Sequence, residues 1–190
     1  MTHSIDTAIG IAWAGVALVW LAGLAFTKRS VRSQSASTRL FHLALGSLGF
    51  ALLRPDWITT GWLAARFASP DGLVAILGLG LTVAGCCFAI WARIILGSNW
   101  SARATVKKDH ELVITGPYAL ARHPIYTGLL AAIVGTALAF GAWHGILAVV
   151  ILILALLIKM SQEERLMVQT FPLQYPAYRQ RVKALIPGVF

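Results

Sequence analysis

The sequence predicts an all-α integral membrane fold with five transmembrane helices, and its composition and patterning support this fold class. Of the 190 residues, 58% are hydrophobic and only 12% are charged, which is about half the charged share of an average globular chain. The mean hydropathy of +0.75 is correspondingly high. Because the apolar residues form long runs, most of the surface is expected to face lipid. A single membrane domain over residues 1–190 follows, and a soluble globular domain, a disordered chain and a disulfide scaffold are excluded.

Separate apolar runs predict the first three spans, each near the ~20 residues that cross the hydrocarbon core. The first covers residues 5–26, and we interpret it as a retained span because no basic segment precedes it. The second covers residues 36–53 and is short. The third covers residues 72–96, and Arg93 near its end can reach the membrane surface. Its small residues Gly78 and Gly85 are typical of close helix packing.

A longer apolar segment predicts a helical hairpin. Residues 125–158 contain no Asp, Glu, Lys or Arg, and the segment is too long for one span but sufficient for two short ones. The sequence FGAWHG at 140–145 provides the turn. We therefore predict spans over 125–140 and 143–158 that pack as a tight hairpin.

The positions of Lys and Arg predict the orientation of these spans. Basic residues concentrate after the first span, between the third and fourth spans, and after the last span. They are Lys28, Arg29, Arg32, Arg39, Arg103, Lys107, Lys108, Arg122, Lys159, Arg165, Arg179, Arg181 and Lys183. The amino terminus is then outside, and segments 97–124 and 159–190 are cytoplasmic. The net charge of +9 therefore indicates contact with anionic lipid headgroups rather than nucleic acid.

The segment before the fourth span contains the first group of candidate functional residues. Residues 116–128 read GPYALARHPIYTG. Pro124 suits the first position of a helix, which puts His123 at its cap beside N–H groups that favour an anion. Arg122 adds a donor fork that suits a carboxylate. These residues predict a carboxylate-binding site at the membrane surface. The alternative is an ordinary helix start with an interfacial arginine.

The second group follows the last span. Lys159 and Glu163 are spaced i, i+4 and can pair, and Glu164 adds a second carboxylate. Because a hairpin returns the chain to its starting side, this group should lie within ~10–15 Å of Arg122 and His123. An anion-binding site beside two glutamate carboxylates suits a zwitterion such as an amino acid or a compound built on one. A solvated helix extension is the alternative.

Together these motifs resemble a known family. GPY at 116–118, RHPIYTG at 122–128, the Glu163–Glu164 pair, Tyr175, Tyr178, and the dipeptides at 181–182 and 186–187 are similar to the isoprenylcysteine carboxyl methyltransferase family and its prokaryotic relatives. GSNWS at 97–101 and HELVIT at 110–115 fit the same pattern. The resemblance covers about residues 93–188. It implies an integral membrane enzyme that uses S-adenosyl-L-methionine, in a prokaryotic inner membrane.

The resemblance also implies roles for individual residues. In the family, the last two spans and the adjoining cytoplasmic segments, including the C-terminal one, form the cofactor pocket. The residues that correspond to cofactor contacts are His110, Leu112, Val113, Tyr118, Arg122, His123, Tyr126, Glu163 and Glu164. Trp100, Tyr178 and Arg181 are expected to close the pocket or contact the substrate. Lys159 and Arg122 are the expected catalytic residues, with Lys159 standing where the eukaryotic enzymes hold the acceptor carboxylate with an arginine.

The implied reaction is methyl transfer to a membrane-associated, lipophilic or lipidated acceptor, with a carboxylate as the accepting group. A carboxylate is ionised without help, so no general base is needed. A phospholipid amine or a small thiol is the alternative acceptor, and His123 or Glu164 would then be the candidate base. Two other interpretations remain: an NADPH-dependent reductase of the sterol type, and a non-catalytic scaffold or transporter subunit. No spacing of His, Cys and acidic residues indicates a metal site.

Overall fold

The computed structural model describes residues 2–25, 30–32, 36–53, 57–100, 106–107 and 112–189. These residues form six α-helices: α1 (Thr2–Leu24), α2 (Ala36–Leu53), α3 (Leu73–Leu96), α4 (Pro124–Phe140), α5 (Trp143–Thr170) and α6 (Gln174–Arg181). Two short strands, β1 (Ser30–Arg32) and β2 (Val106–Lys107), pair in an antiparallel arrangement. Single 3-10 turns cover Gly97–Asn99 and Gly116–Ala119.

The helices confirm an α-helical membrane architecture. Within the described residues, three helices are long and apolar enough to cross a membrane: His3–Leu24, Leu73–Asn99 and Trp143–Thr170. Leu40–Leu53 and Pro124–Phe140 are shorter apolar helices at the predicted second and fourth spans. Helix α5 continues beyond the predicted end of its span at residue 158 and reaches Thr170. The polar residues after the last span therefore stand on a rigid helix rather than a loop.

The distribution of side-chain sizes on α3 is that of a membrane helix. Leu73, Leu77 and Ile94 have 70%, 62% and 62% of their surface exposed. Gly78 and Gly85 on the same helix are buried. A soluble helix would bury its largest apolar residues, whereas helices in lipid bury small residues and turn large ones outward.

Helices α3 and α4 form the closest contact of the fold. They run antiparallel, and a Cβ built on Gly85 would lie 2.5 Å from the backbone nitrogen of Ala132 and 2.6 Å from the carbonyl oxygen of Gly128. Gly78 has the same relation to Gly135. The two backbones touch, because neither helix has a side chain at these positions. The predicted close packing at Gly78 and Gly85 is confirmed.

The hairpin of α4 and α5 turns at Gly141, as the sequence indicated. Gly141 has φ +62°, a left-handed conformation that favours glycine, and its N–H donates to the carbonyl of Ala137 over 3.0 Å. Helix α5 therefore returns alongside α4 and brings its extension beside the start of that helix.

Candidate functional site at the start of α4

The chain approaches α4 through a tight turn. Gly116 has φ +59°, and the 3-10 turn that it begins buries Tyr118. His123 is the N-cap residue of α4 and Pro124 follows at the first helical position, which confirms the boundary predicted from sequence. The polar pair Arg122 and His123 is therefore fixed to the end of a helix.

The C-terminal tail folds back over this helix start. The backbone N–H groups of Arg122 and His123 donate to the carbonyls of Lys183 and Ala184 over 2.8 and 2.9 Å. The Thr127 hydroxyl donates to the carbonyl of Leu185 over 2.7 Å. The tail and the start of α4 therefore form one unit that is held by main-chain hydrogen bonds.

Glu164 anchors the polar cluster on the α5 side. Its Oε1 accepts hydrogen bonds from Nε of Arg122 at 2.8 Å, from the hydroxyl of Tyr175 at 3.1 Å, and lies 3.2 Å from Nε2 of His123. Nε of Arg179 lies 3.4 Å from Oε2. Partial burial raises the pKa of Glu164, but hydrogen bonds from His123 and Arg122 and the nearby positive charge outweigh that effect and lower it to about 2. This carboxylate is therefore ionised and fully engaged with protein groups.

Glu163 lies in a different environment from its neighbour. The hydroxyl of Tyr126 donates to its Oε2 over 2.7 Å. Nζ of Lys159 lies 3.8 Å from its Oε1, which confirms the predicted i, i+4 pair. Nδ1 of His123 is 3.8 Å from Oε2, and the rings of His123 and Tyr126 stack with centroids 5.4 Å apart. Glu163 thus carries one strong hydrogen bond and two long contacts, with capacity to bind a further donor.

These groups form one wall of a cavity of about 230 Å³ between α4, α5 and the C-terminal tail. The polar residues of the wall are Arg122, His123, Tyr126, Lys159 and Glu163. The apolar lining includes Leu96, Leu112, Val113, Leu129, Leu156 and Met167. The aromatic residues Trp20, Trp100, Tyr118, Tyr175 and Tyr178 also line the cavity. An apolar cavity with a few convergent charged groups is the usual form of a small-molecule site.

The tyrosine hydroxyls at the tail end of the cavity serve as hydrogen-bond donors. Tyr178 donates to the carbonyl oxygen of Tyr118, and burial raises the pKa of Tyr178 to about 12. Burial also raises the pKa of Tyr175 above its usual range. Both hydroxyls remain protonated at neutral pH, so they connect α6 to the turn before α4 and to Glu164.

Most of the site residues expected from sequence lie on this cavity. Those that line it are Trp100, Leu112, Val113, Tyr118, Arg122, His123, Tyr126, Lys159, Glu163 and Tyr178. Glu164 does not line the cavity, but its carboxylate contacts the side chains of Arg122 and His123, which do. Arg181 is exposed and does not line the cavity. His110 lies outside the described residues.

The structure adds residues to which the sequence assigned no role in the site. Trp20 lines the cavity although it belongs to the first apolar span, and no motif connects that span to the polar segments. Leu129 and Leu156 face the cavity from the hairpin, where one leucine cannot be told from another by sequence. Tyr175 was visible as part of the aromatic tail motif, but its bond to Glu164 depends on the folding of α6. Within the described part of the chain, no three His, Cys, Asp or Glu side chains are grouped to hold a metal ion.

Comparison with known proteins identifies the family of the central segment. A sequence model of the isoprenylcysteine carboxyl methyltransferase (ICMT) family matches residues 77–169, slightly less than half of the chain. No curated protein shows significant similarity. The matched segment begins in α3 and ends in α5, so it contains the α3–α4 contact, the helix start at Arg122 and both glutamates. It confirms the family indicated by the motifs and supports a membrane methyltransferase in general.

Proposed function

We propose that this protein, whose residues 77–169 belong to the ICMT family, is an S-adenosyl-L-methionine-dependent O-methyltransferase. The acceptor is a membrane-associated, lipophilic molecule with a carboxylate. S-Adenosyl-L-methionine carries an ammonium group, a carboxylate and a sulfonium on its amino-acid part, and a large flat adenine. When bound, it supplies an already activated methyl group, so the protein's contribution is orientation and the exclusion of water.

The observation that carries the proposal is the composition of the cavity wall around Glu163. The carboxylate of Glu163 faces the cavity with its Oε2 held by the hydroxyl of Tyr126 at 2.7 Å. Its remaining acceptor capacity suits the cofactor's ammonium group. Leu112 and Val113 line the same cavity and provide apolar surface for adenine. The residues present therefore fit the charges and the apolar part of this cofactor.

The second glutamate has a different role in this proposal. Glu164 holds Arg122 through Nε and Nη2 at 2.8 Å each. A further guanidinium nitrogen of Arg122 donates to the carbonyl of Val182 in the tail. Arg122 thus joins α5, α4 and the tail, and the positive charge that it brings to the cavity wall favours the cofactor's carboxylate. Glu164 acts on the site through Arg122 and His123, as a positioning residue.

In this proposal, Lys159 and the apolar lining of the cavity bind the methyl acceptor. Nζ of Lys159 lies 5.5 Å from the centroid of the Tyr126 ring and 3.8 Å from Glu163. It thus adds positive charge to the wall where an acceptor carboxylate would approach. Leu129 of α4 and Leu156 of α5 belong to the apolar lining and suit a lipid chain. No proton has to leave a carboxylate at neutral pH, so His123 and Glu164 are not required as bases.

The proposed arrangement in the membrane follows from charge and helix length. The chain crosses a prokaryotic inner membrane five times, with the short helices α2 and α4 as the second and fourth spans and the amino terminus outside. Arg122 and Lys159 then lie on the cytoplasmic side. The cavity is at the membrane edge, where a soluble cofactor and a lipid-borne acceptor can both reach it.

Isothermal titration of the detergent-purified protein with S-adenosylhomocysteine, and separately with NADPH, tests the proposal. S-Adenosylhomocysteine is expected to bind, and Glu163→Gln is expected to weaken it by about tenfold, ~1.4 kcal/mol. Asp71→Asn is the matched control, because Asp71 is an exposed acid in the segment before α3 and does not line the cavity. NADPH binding without S-adenosylhomocysteine binding would replace the proposal with a reductase, and binding of neither would favour a scaffold.

A further inference from the structure

Trp20 brings the first helix to the wall of the cavity. It lines the cavity, although α1 lies outside residues 77–169 that match the ICMT family. Trp20 and Leu129 of α4 both pack against the buried cluster that contains Tyr126. Both also pack against the cluster that contains Val16, one helical turn further inside α1. Trp20 therefore stands between the cavity and the apolar core of the membrane-spanning helices.

The positions of the lining residues along α4 and α5 give the cavity a polar and an apolar end. Leu129 follows Tyr126 by about one helical turn, and Leu156 precedes Lys159 by about one turn. Because α4 leads away from the polar wall and α5 leads towards it, both leucines lie on the side of the apolar helix interiors. They pack with Trp20 in the same cluster. These three residues form an apolar end that suits the lipophilic part of the acceptor.

The wall at Trp20 is supported from behind. The rings of Trp20 and Trp100 meet edge to face with centroids 6.2 Å apart, and Cζ of Arg93 lies 4.5 Å from the centroid of the Trp100 ring. Arg93 is buried, and its Nη1 donates to the carbonyl of Gly97 over 2.9 Å. Its guanidinium packs against α1 at Gly23, where a Cβ would be 2.8 Å from Cζ. The two aromatic rings are therefore held by a buried cation between α1 and α3.

A supported aromatic wall at the apolar end of a cavity limits the chain that the cavity can hold. The cavity has a volume of about 230 Å³, and further carbon atoms at this end need the space that the Trp20 side chain occupies. In a hydrophobic pocket, one methylene group more or less changes kcat/KM by about 10–200-fold. A smaller side chain at position 20 should therefore change which acceptor is preferred.

We propose that Trp20 determines the length of the lipophilic chain of the methyl acceptor by closing the apolar end of the cavity. This inference rests on the proposed function and places a specificity-determining residue in α1, outside the segment that matches the family. Trp100 and Arg93 act through the position of the Trp20 ring, as positioning residues.

The test measures methyl transfer to S-geranyl and S-farnesyl N-acetylcysteine, two acids whose chains differ by one isoprene unit. The readout is the ratio of kcat/KM for the farnesyl acid to that for the geranyl acid. Trp20→Leu opens the apolar end and should raise the ratio by about tenfold. Leu129→Phe adds volume from α4 and should lower it. S-Adenosylhomocysteine affinity should not change in either variant.

Trp143→Leu is the matched control. Trp143 also belongs to an edge-to-face pair, with the ring of Phe67 at 5.5 Å, but it does not line the cavity. Its removal should leave the ratio at the wild-type value. A change as large as that in Trp20→Leu would show that the loss of any aromatic pair alters the preference, and it would overturn the inference.

The remaining outcomes also decide. An unchanged ratio in folded Trp20→Leu overturns the inference, as does transfer to neither acid by a wild type that binds S-adenosylhomocysteine. Failure of the wild type to bind S-adenosylhomocysteine overturns the proposed function itself. If Trp20→Leu does not fold, the milder Trp20→Phe and the opposing Leu129→Phe replace it. Unchanged ratios in these two variants overturn the inference.

Discussion

Glu164→Gln is expected to destabilise the protein, because this carboxylate connects α5 to the start of α4 and to the tail. The pKa of Glu164 falls from an ordinary 4.5 to about 2 in the folded protein. That difference corresponds to about 3 kcal/mol, and solvent screening of the half-buried ion pairs reduces it to about 2 kcal/mol. For a chain of this size, the melting temperature in detergent should fall by roughly 4–8 °C. Differential scanning fluorimetry measures this directly.

Glu163→Gln provides the matched comparison one residue away. Its side chain has weaker contacts within the protein, so the melting temperature should change by less than half as much as in Glu164→Gln. Binding of S-adenosylhomocysteine should instead weaken by about tenfold. The reverse pattern would refute these roles: Glu163→Gln would have the lower melting temperature, and Glu164→Gln would keep the wild-type melting temperature but lose S-adenosylhomocysteine binding.

The pH dependence of stability provides an independent measurement of the same anchor. Because the folded-state pKa of Glu164 is depressed, its stabilisation is fully present above about pH 4.5 and is lost as the pH falls towards 2. The melting temperatures of the wild type and Glu164→Gln should therefore differ at pH 7 and converge as the pH drops below about 4.5. A difference that stays constant down to pH 3 would contradict the ionic role of this residue.

Three further substitutions test the packing and the cavity wall. Gly85→Ala should lower stability by about 1–3 kcal/mol, because its Cβ meets the α4 backbone at 2.5 Å, whereas Gly80→Ala, with open space, should not; thermal melting separates the two. Tyr126→Phe removes the 2.7 Å hydrogen bond to Glu163 and should weaken S-adenosylhomocysteine binding several-fold in a titration. Thr127→Val removes a bond to the C-terminal tail and should increase hydrogen exchange of the tail amides without changing the helical content.

Much of the fold could be predicted from the sequence, because lipid imposes strong local requirements. A membrane span must be apolar over its whole length. Pro124 at the start of α4 and Gly141 at the turn after it are favoured by the local backbone conformation, which depends only on neighbouring residues. The hairpin also predicted that Arg122 and His123 would lie near the glutamates. They prove to be in direct contact, 2.8 and 3.2 Å from Glu164.

The different roles of the two glutamates required the tertiary structure. Glu163 and Glu164 have the same side chain and adjacent positions, and only the approach of α4 and the tail gives them different partners. Side-chain chemistry alone could not distinguish their roles, since both carboxylates can accept a hydrogen bond from an N–H group or pair with a cation.

The sequence by itself determined the class of the protein: its helices, their apolar faces, the hairpin and the charged groups that define a site. The tertiary structure decided how distant segments meet, including the tail bonded to the start of α4 and Gly23 of α1 placed against Arg93. The physical reason is the range of the interactions. Helix formation and membrane insertion depend on neighbouring residues and solvent, whereas the partner of a buried charge depends on contacts between segments that are far apart in the chain.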